Sequence, residues 1–310
     1  MRLKHLGQYL AVWLAAASLA CATTSHAAAN EPPPLPVVAS FSILGDLVHQ
    51  VGGERIALQV LAGPGSDAHA VQPTPAMART VAGAAVLFSN GLGYEGWMDR
   101  LVRSAGFRGQ HVVVTAGLPS PLAAAQDHAH GHGHGIDPHA WQDVANARHF
   151  VARIARGLCD ADVAHCPGYR QRAAAADARL QVLDREIRAA WASVPPERRR
   201  VVVSHDAFGY YAAAYGVQFL APQGVSTEAQ ASARAVAQLV RTVRTDRLRA
   251  LFVESLGDPR LIAQIGREAG VPVSGTLYAD ALSLAGGSAA TYEALMRHNT
   301  TQMVRAVGAP

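Results

Sequence analysis

The sequence predicts an α/β protein of two lobes, each a parallel sheet with flanking helices, joined by one long helical connector. Two observations carry this expectation. Short apolar runs alternate with stretches of helical apolar spacing, and the alternation occurs twice along the chain; strand, helix, strand implies parallel strands with helices covering their faces. Between the two alternations lies GYRQRAAAADARLQVLDREIRAAWASV (168–194), with no proline, one glycine at its start, and Leu180, Leu183 and Ile187 at helical spacing. The 310 residues, half of them hydrophobic, are enough to bury a sizeable core in two lobes.

Residues 1–27 have the composition of a secretory signal: Arg2 and Lys4, then an apolar run from Tyr9 to Ala20, then small residues. Cleavage after Ala27 or Ala29 fits the small-x-small rule. A lipoprotein would instead use Cys21, and Ser18 stands three positions before it where leucine is usual, so soluble cleavage into the periplasm is the expectation. No later stretch reaches the roughly 20 apolar residues of a membrane span. A proline-rich leader, NEPPPLP, follows.

The first lobe is expected over 33–167. Its candidate strands are PVVASF (36–41), IALQVL (56–61), AVLFSN (85–90) and HVVVTA (111–116), separated by the helical stretches ILGDLVHQVGG, TPAMARTVAGA and YEGWMDRLVRSAG. The second is expected over 195–310, with strands in RVVVSH, VQFLAPQ, ALFVES and VPVSGT and helices in SARAVAQLVRTVRTDRLR, DPRLIAQIGREAG and TYEALMRHNTTQMVRAV. No short-period repeat is evident.

Net charge is +4, and +2 once Arg2 and Lys4 leave with the signal. No basic cluster is interleaved with aromatics, which argues against nucleic acid as a partner; Arg198 to Arg200 read as a solvated edge before a strand. Without Cys21 the mature chain keeps Cys159 and Cys166, which in an oxidising compartment close the small loop CDADVAHC as a disulfide.

Open α/β sheets bind ligands beyond the carboxyl ends of their strands, and four polar residues fall there. His69 lies in PGSDAHAVQPTP, His139 in IDPHAW, His205 in RVVVSHDAF and Asp280 in LYADAL, two from each lobe. They are 70, 66 and 75 residues apart, so no local motif joins them. Three imidazoles and a carboxylate suit a borderline divalent ion such as zinc. Singly, each has a plainer reading: Asp137-Pro138 as a helix cap with His139 beginning that helix, His205 as a satisfied core histidine.

Taken in order, the signal peptide, SDAHAVQPTP, a histidine-rich loop, DPHAW, the long helix, SHDAFGYYAAAYG and LYADALS resemble the periplasmic solute-binding proteins of zinc and manganese ABC transporters, the cluster A-I family. The resemblance spans essentially the whole mature chain. It implies a rigid connecting helix, a metal site in the interlobe cleft, and His69, His139, His205 and Asp280 as ligands. Manganese-selective members commonly have glutamate at the third position; His205 there favours Zn2+ over Mn2+. Where the family often has glutamate in PHxxEP, this chain has Gln72. Asp206, Glu228 and Glu254 are secondary candidates, for orienting an imidazole, lining the cleft or capping backbone groups.

His128, His130, His132 and His134 alternate with alanine or glycine over 128–134, a pattern suited to weak, adaptable metal capture. The resulting expectation is a monomeric, non-enzymatic zinc carrier that serves an ABC permease and its cytoplasmic ATPase, with a periplasmic metallochaperone as a possible donor. A secreted zinc hydrolase with Asp280 as base is the alternative from another class, although HExxH and GxSxG are absent. A metal-buffering or adhesion protein is a third.

Overall fold

The computed structural model describes residues 32–119, 122–123 and 135–308. The first strands are β1 (Leu35–Phe41), β2 (Ile56–Ala62), β3 (Val86–Ser89) and β4 (Gln110–Val113), with α1 (Ser42–Gly52), α2 (Pro75–Ala82) and α3 (Met98–Ala105) between them. They form one parallel sheet in the order β2-β1-β3-β4. Burial follows position. Inner strands β1, from Val37 onward, and β3 are covered throughout and read as unbroken apolar runs, whereas edge strand β2 exposes Ala57 and Gln59 and turns Leu58 and Val60 inward. Strand β4 stops at Val113, shorter than 111–116 suggested, because the chain turns there.

Two long helices follow, α4 (Val144–Ala161) and α5 (Cys166–Ala192), with Cys159 and Cys166 joined by a disulfide across the turn between them. Asp143, not Asp137, caps α4, its carboxylate accepting the Ala145 N–H at 2.8 Å. On α5 the buried positions Tyr169, Ala173, Ala176, Leu180, Leu183 and Ile187 are spaced by three or four residues, which puts them on one stripe. That stripe packs against α1, α4 and the last helix, α9 (Tyr292–Gly308). Arg172 of α5 donates to the carbonyls of Val51 and Gly52 at the end of α1, where helix carbonyls lack partners of their own.

The second set comprises β5 (Arg200–Val202), α6 (Gly209–Tyr215), β6 (Gln218–Leu220), α7 (Ala233–Thr245), β7 (Phe252–Glu254), α8 (Pro259–Ala269) and β8 (Gly275–Leu277). β5 pairs with β6 and β7 with β8, all parallel, and one parallel bridge between Val202 and Leu251 aligns the pairs. The order is therefore β6-β5-β7-β8, the same as in the first sheet. The last strand lies later than VPVSGT suggested: Val271 to Ser274 run without strand pairing, and the ladder begins at Gly275. Helix α6 was not expected from the sequence; GYYAAAY is short, and it holds because Tyr211 is buried.

Both lobes and α5 contribute to one hydrophobic core, in which Phe41, Trp141, Leu183, Trp191, Tyr211 and Tyr292 are nearly inaccessible. Two of its aromatic polar groups are paired with each other: Trp191 Nε1 donates to Tyr211 Oη at 2.8 Å, and Tyr211 Oη lies 2.7 Å from Thr300 Oγ1, linking α5, α6 and α9. No helix among the described residues is long and apolar enough to cross a membrane.

Leu183 is fully buried on α5. Leu183→Ala is expected to lower unfolding stability by about 2–5 kcal/mol, measured by urea unfolding; a loss under about 1 kcal/mol would mean that the helix contributes little to the core.

Candidate metal centre

All four residues singled out in the sequence lie on loops beyond strand ends. His69 follows β2 in a segment without regular structure; its backbone N–H is held by Asp67 Oδ1 at 2.8 Å, and Trp97 Nε1 donates to Ala68 O at 2.8 Å. His139 precedes a single 3-10 turn, Ala140–Gln142. Asp137 Oδ1 accepts both its backbone N–H at 2.9 Å and its Nδ1–H at 2.8 Å. Asp137 is thus the support of an imidazole, and Gly209 at the start of α6 makes room for it, since a Cβ there would collide with Asp137 Oδ2.

His205 lies just past β5, and Glu254 ends the neighbouring strand β7. Glu254 Oε1 accepts the backbone N–H groups of Ser204 at 2.7 Å and His205 at 3.0 Å, while Oε2 takes the His205 Nδ1–H in a short contact. Asp280 follows β8 and is immobilised by the other lobe. Trp141 Nε1 and Gln142 Nε2 donate to Ala279 O, Tyr94 Oη donates to Asp280 O, and Ser42 Oγ accepts the Leu282 N–H.

The four side chains converge, each offering one ligand atom, with all of these atoms within 4.8 Å of one another. His69 Nε2 is 3.4 Å from His139 Nε2, His139 Nε2 is 3.4 Å from Asp280 Oδ1, and His205 Nε2 is 3.1 Å from Asp280 Oδ2. A tetrahedron with bonds of about 2.0–2.1 Å has edges of about 3.3–3.4 Å, so these separations suit one small ion between the groups. His139 is 0% exposed, His205 and Asp280 2% each; His69 is more accessible. His205 Nε2 and Asp280 Oδ1 are buried without a hydrogen-bond partner. Buried polar atoms left without a partner are costly unless something binds them. With Nδ1 of His139 and His205 each committed to a carboxylate, Nε2 is the atom left facing the site, the pattern seen in metal-ligating histidines.

The electrostatics of the metal-free site agree. Burial pushes the His69 imidazole down to about 4, only partly opposed by Asp280. Burial also disfavours charge on His205, but Glu254 and Asp280 outweigh it and hold that imidazole well above its ordinary value. Burial alone would raise Asp280; His205, then His139 and His69, reverse this and keep it strongly acidic.

Of the secondary candidates, Glu254 has the clearest role, as above. Asp206 is largely buried, which raises its carboxyl, and its backbone N–H donates to Gly224 O; no side-chain bond to a histidine is present among the described residues. Glu228 and Gln72 line a cavity of about 330 Å³ that opens on His69. His128, His130, His132 and His134 lie outside the described residues. Sequence reasoning missed the supports, although a signal existed: both SDAH and DPH place an aspartate two residues before a histidine. Asp137 takes ring and backbone of its histidine, whereas Asp67 takes only the backbone and leaves its second oxygen to Thr227.

The family described as ZnuA, zinc-uptake complex component A periplasmic, matches residues 37–306. The chain belongs to this family. It is a metal-binding component of the ABC-transporter type, whose members are substrate-binding proteins working with a permease and an ATPase. Among its ZnuA-family relatives, the manganese-binding lipoprotein MntA of Halalkalibacterium halodurans is 30% identical over 284 residues, covering 92% of each chain. The iron-binding protein YfeA of Yersinia pestis is 28% identical over 88% of this chain and 86% of its own. The solved structure of the periplasmic zinc binding protein TroA from Treponema pallidum superposes with a TM-score of 0.82 at 30% identity, covering 89% of this chain and 99% of that one. The α/β fold with its long helix is thus shared with a metal-binding relative.

Because His69 takes up its proton in the unfolded chain near pH 6.5 but in the folded, metal-free protein only near 4, acidification through that window favours unfolding. His69→Gln is expected to lose less stability than the metal-free parent between pH 6.5 and 4, measured by urea unfolding at each pH; parallel curves would contradict the burial of this imidazole.

Proposed function

We propose that the chain is an extracytoplasmic zinc-binding protein that captures Zn2+ with His69, His139, His205 and Asp280 and delivers it to an ABC permease for import. The observation that carries this reading is the donor set: three imidazole Nε2 atoms and one carboxylate within 4.8 Å, two of the groups with a buried atom that has no hydrogen-bond partner. Nitrogen-rich, near-tetrahedral sites suit zinc, whereas manganese prefers more oxygen donors and higher coordination. Manganese is the second reading, favoured by MntA. Four protein donors fill a zinc coordination shell, leaving no open position for a hydrolytic water, so the reading is non-enzymatic.

The ion requires neutral imidazoles. Glu254 and Asp280 favour a proton on His205 in the metal-free site, against the effect of burial. Binding displaces it from Nε2 while Nδ1–H stays on Glu254. Acidification therefore weakens the site. Residues 128–134 act in this reading as a separate, weaker capture site, with a metallochaperone as a possible donor and a monomer as the working unit. For the leader, the name of the relative MntA, a lipoprotein, favours anchoring through Cys21 over the soluble cleavage that the small residues around Ala27 and Ala29 suggest. The mass of the mature N-terminus decides: a lipid-modified residue starting at Cys21 supports anchoring, an unmodified start at residue 28 or 30 supports soluble release.

Competitive calorimetry of the metal-free mature chain with zinc and manganese tests the metal and the site. One tight zinc event is expected, lost in His205→Ala and retained when residues 128–134 are deleted, and zinc uptake by cells lacking the gene should be restored by the parent chain but not by His205→Ala. Manganese preference would replace the metal, and an intact tight event in His205→Ala would overturn the ligand set.

A further inference from the structure

The four ligands are not held equally. The rings of His139 and His205 are each tied at Nδ1 to a buried carboxylate, and the Asp280 segment is bonded to Ser42, Tyr94, Trp141 and Gln142 of the other lobe. His69 has no carboxylate on its ring among the described residues. It is the most accessible of the four, and it sits in a segment, 63–74, without helix or strand. Its position depends on its backbone, which Asp67 Oδ1 holds at 2.8 Å.

Asp67 is in turn held from across the cleft. Thr227 Oγ1 donates to Asp67 Oδ2 at 2.7 Å, joining residues 160 apart in the chain. Thr227 belongs to the connection between β6 and α7, 221–232, which is fastened at both ends. Gln223 bridges to His205, the Asp206 N–H donates to Gly224 O at 3.2 Å, and Ser232 Oγ caps α7 by accepting the Ala235 N–H. Between these anchors, Val225, Ser226 and Glu228 face the cavity that opens on His69, while Gln223, Thr227 and Gln230 face a second cavity, of about 400 Å³, that opens on His205 and Asp280. The connection thus lies between an opening on His69 and another on His205 and Asp280. Among the described residues, the hydrogen bonds between the His69 segment and the second lobe are that of the Thr227 hydroxyl and the backbone bond from Gly65, four residues upstream of His69, to Leu282.

We propose that Thr227 is a positioning residue that holds His69 in the metal site through Asp67, and that opening the Thr227–Asp67 hydrogen bond is the step that lets the His69 segment swing out and the metal leave. The proposal rests on the ligand set proposed above. It assigns release to a small loop motion on the His69 side and leaves the other three donors in place. A single charge-assisted hydrogen bond at a partly exposed position is enough to change a dissociation rate by roughly tenfold.

The test is zinc dissociation from the full mature chain, followed by stopped flow into excess fluorescent chelator. Thr227→Val removes the hydroxyl at nearly constant shape, and Thr227→Ser keeps it. Release roughly tenfold faster than the parent is expected from Thr227→Val, a rate within about twofold of the parent from Thr227→Ser, and no further acceleration when Thr227→Val is added to His69→Ala. Unchanged release in Thr227→Val, or the same acceleration in the His69→Ala background, overturns the positioning role. An unchanged rate in His69→Ala alone overturns the ligand set, and the proposal with it.

Discussion

Four polar atoms with lone pairs directed at one point, three of their residues almost fully buried, are the constraint around which the molecule is arranged. Without an ion, Glu254 and Asp280 favour a proton on His205, while burial disfavours one on His69. Each group also has reason to stay where it is. Turning His139 or His205 away would break a bond to the buried carboxylate of Asp137 or Glu254, and an unpaired buried carboxylate is costly. The site is thus preorganised from behind, by residues that do not face the metal.

That preorganisation reaches across the molecule because the lobes share an interior. Helix α5 is embedded in the core along one stripe, and the loop carrying Asp280, from the second lobe, hangs on the N–H and hydroxyl groups of Trp141, Gln142, Tyr94 and Ser42 of the first. Large rotation of one lobe on the other would expose Trp141, Tyr211 and Tyr292 together. Among the described residues, His69 is the one of the three histidines whose ring has no carboxylate partner at its second nitrogen; that ring packs on Tyr94 instead. Asp137 and Asp67, each two residues before a histidine, differ in that Asp137 holds both ring and backbone of His139 and Asp67 only the backbone of His69.

Members of one family carry names for manganese, iron and zinc binding, so the fold alone does not choose the ion. Donor identity and spacing do, and here the third donor is an imidazole. Histidine at 205 needs a partner for its second nitrogen, which Glu254 provides from the adjacent strand.

Much of this was legible in the sequence for a physical reason: local patterning is set by neighbours in the chain. Periodicity located the strands and seven of the nine α-helices among the described residues, all but α4 and α6; SDAHAVQPTP, DPHAW, SHDAF and LYADAL marked candidate ligands, and the stripe of Leu180, Leu183 and Ile187 marked α5. Where burial rather than pattern decides, the sequence was silent or misplaced, as with α6, held by Tyr211, and β8, which starts only where Gly275 meets Phe252. The repeated strand order of the two sheets is likewise invisible in the residues, since strand order is a matter of pairing and not of composition. The sequence by itself determined which side chains were available and on which loops they sit; only the tertiary structure decided that residues 70, 66 and 75 positions apart meet within 4.8 Å, because convergence depends on how sheets pack, and no local interaction encodes it.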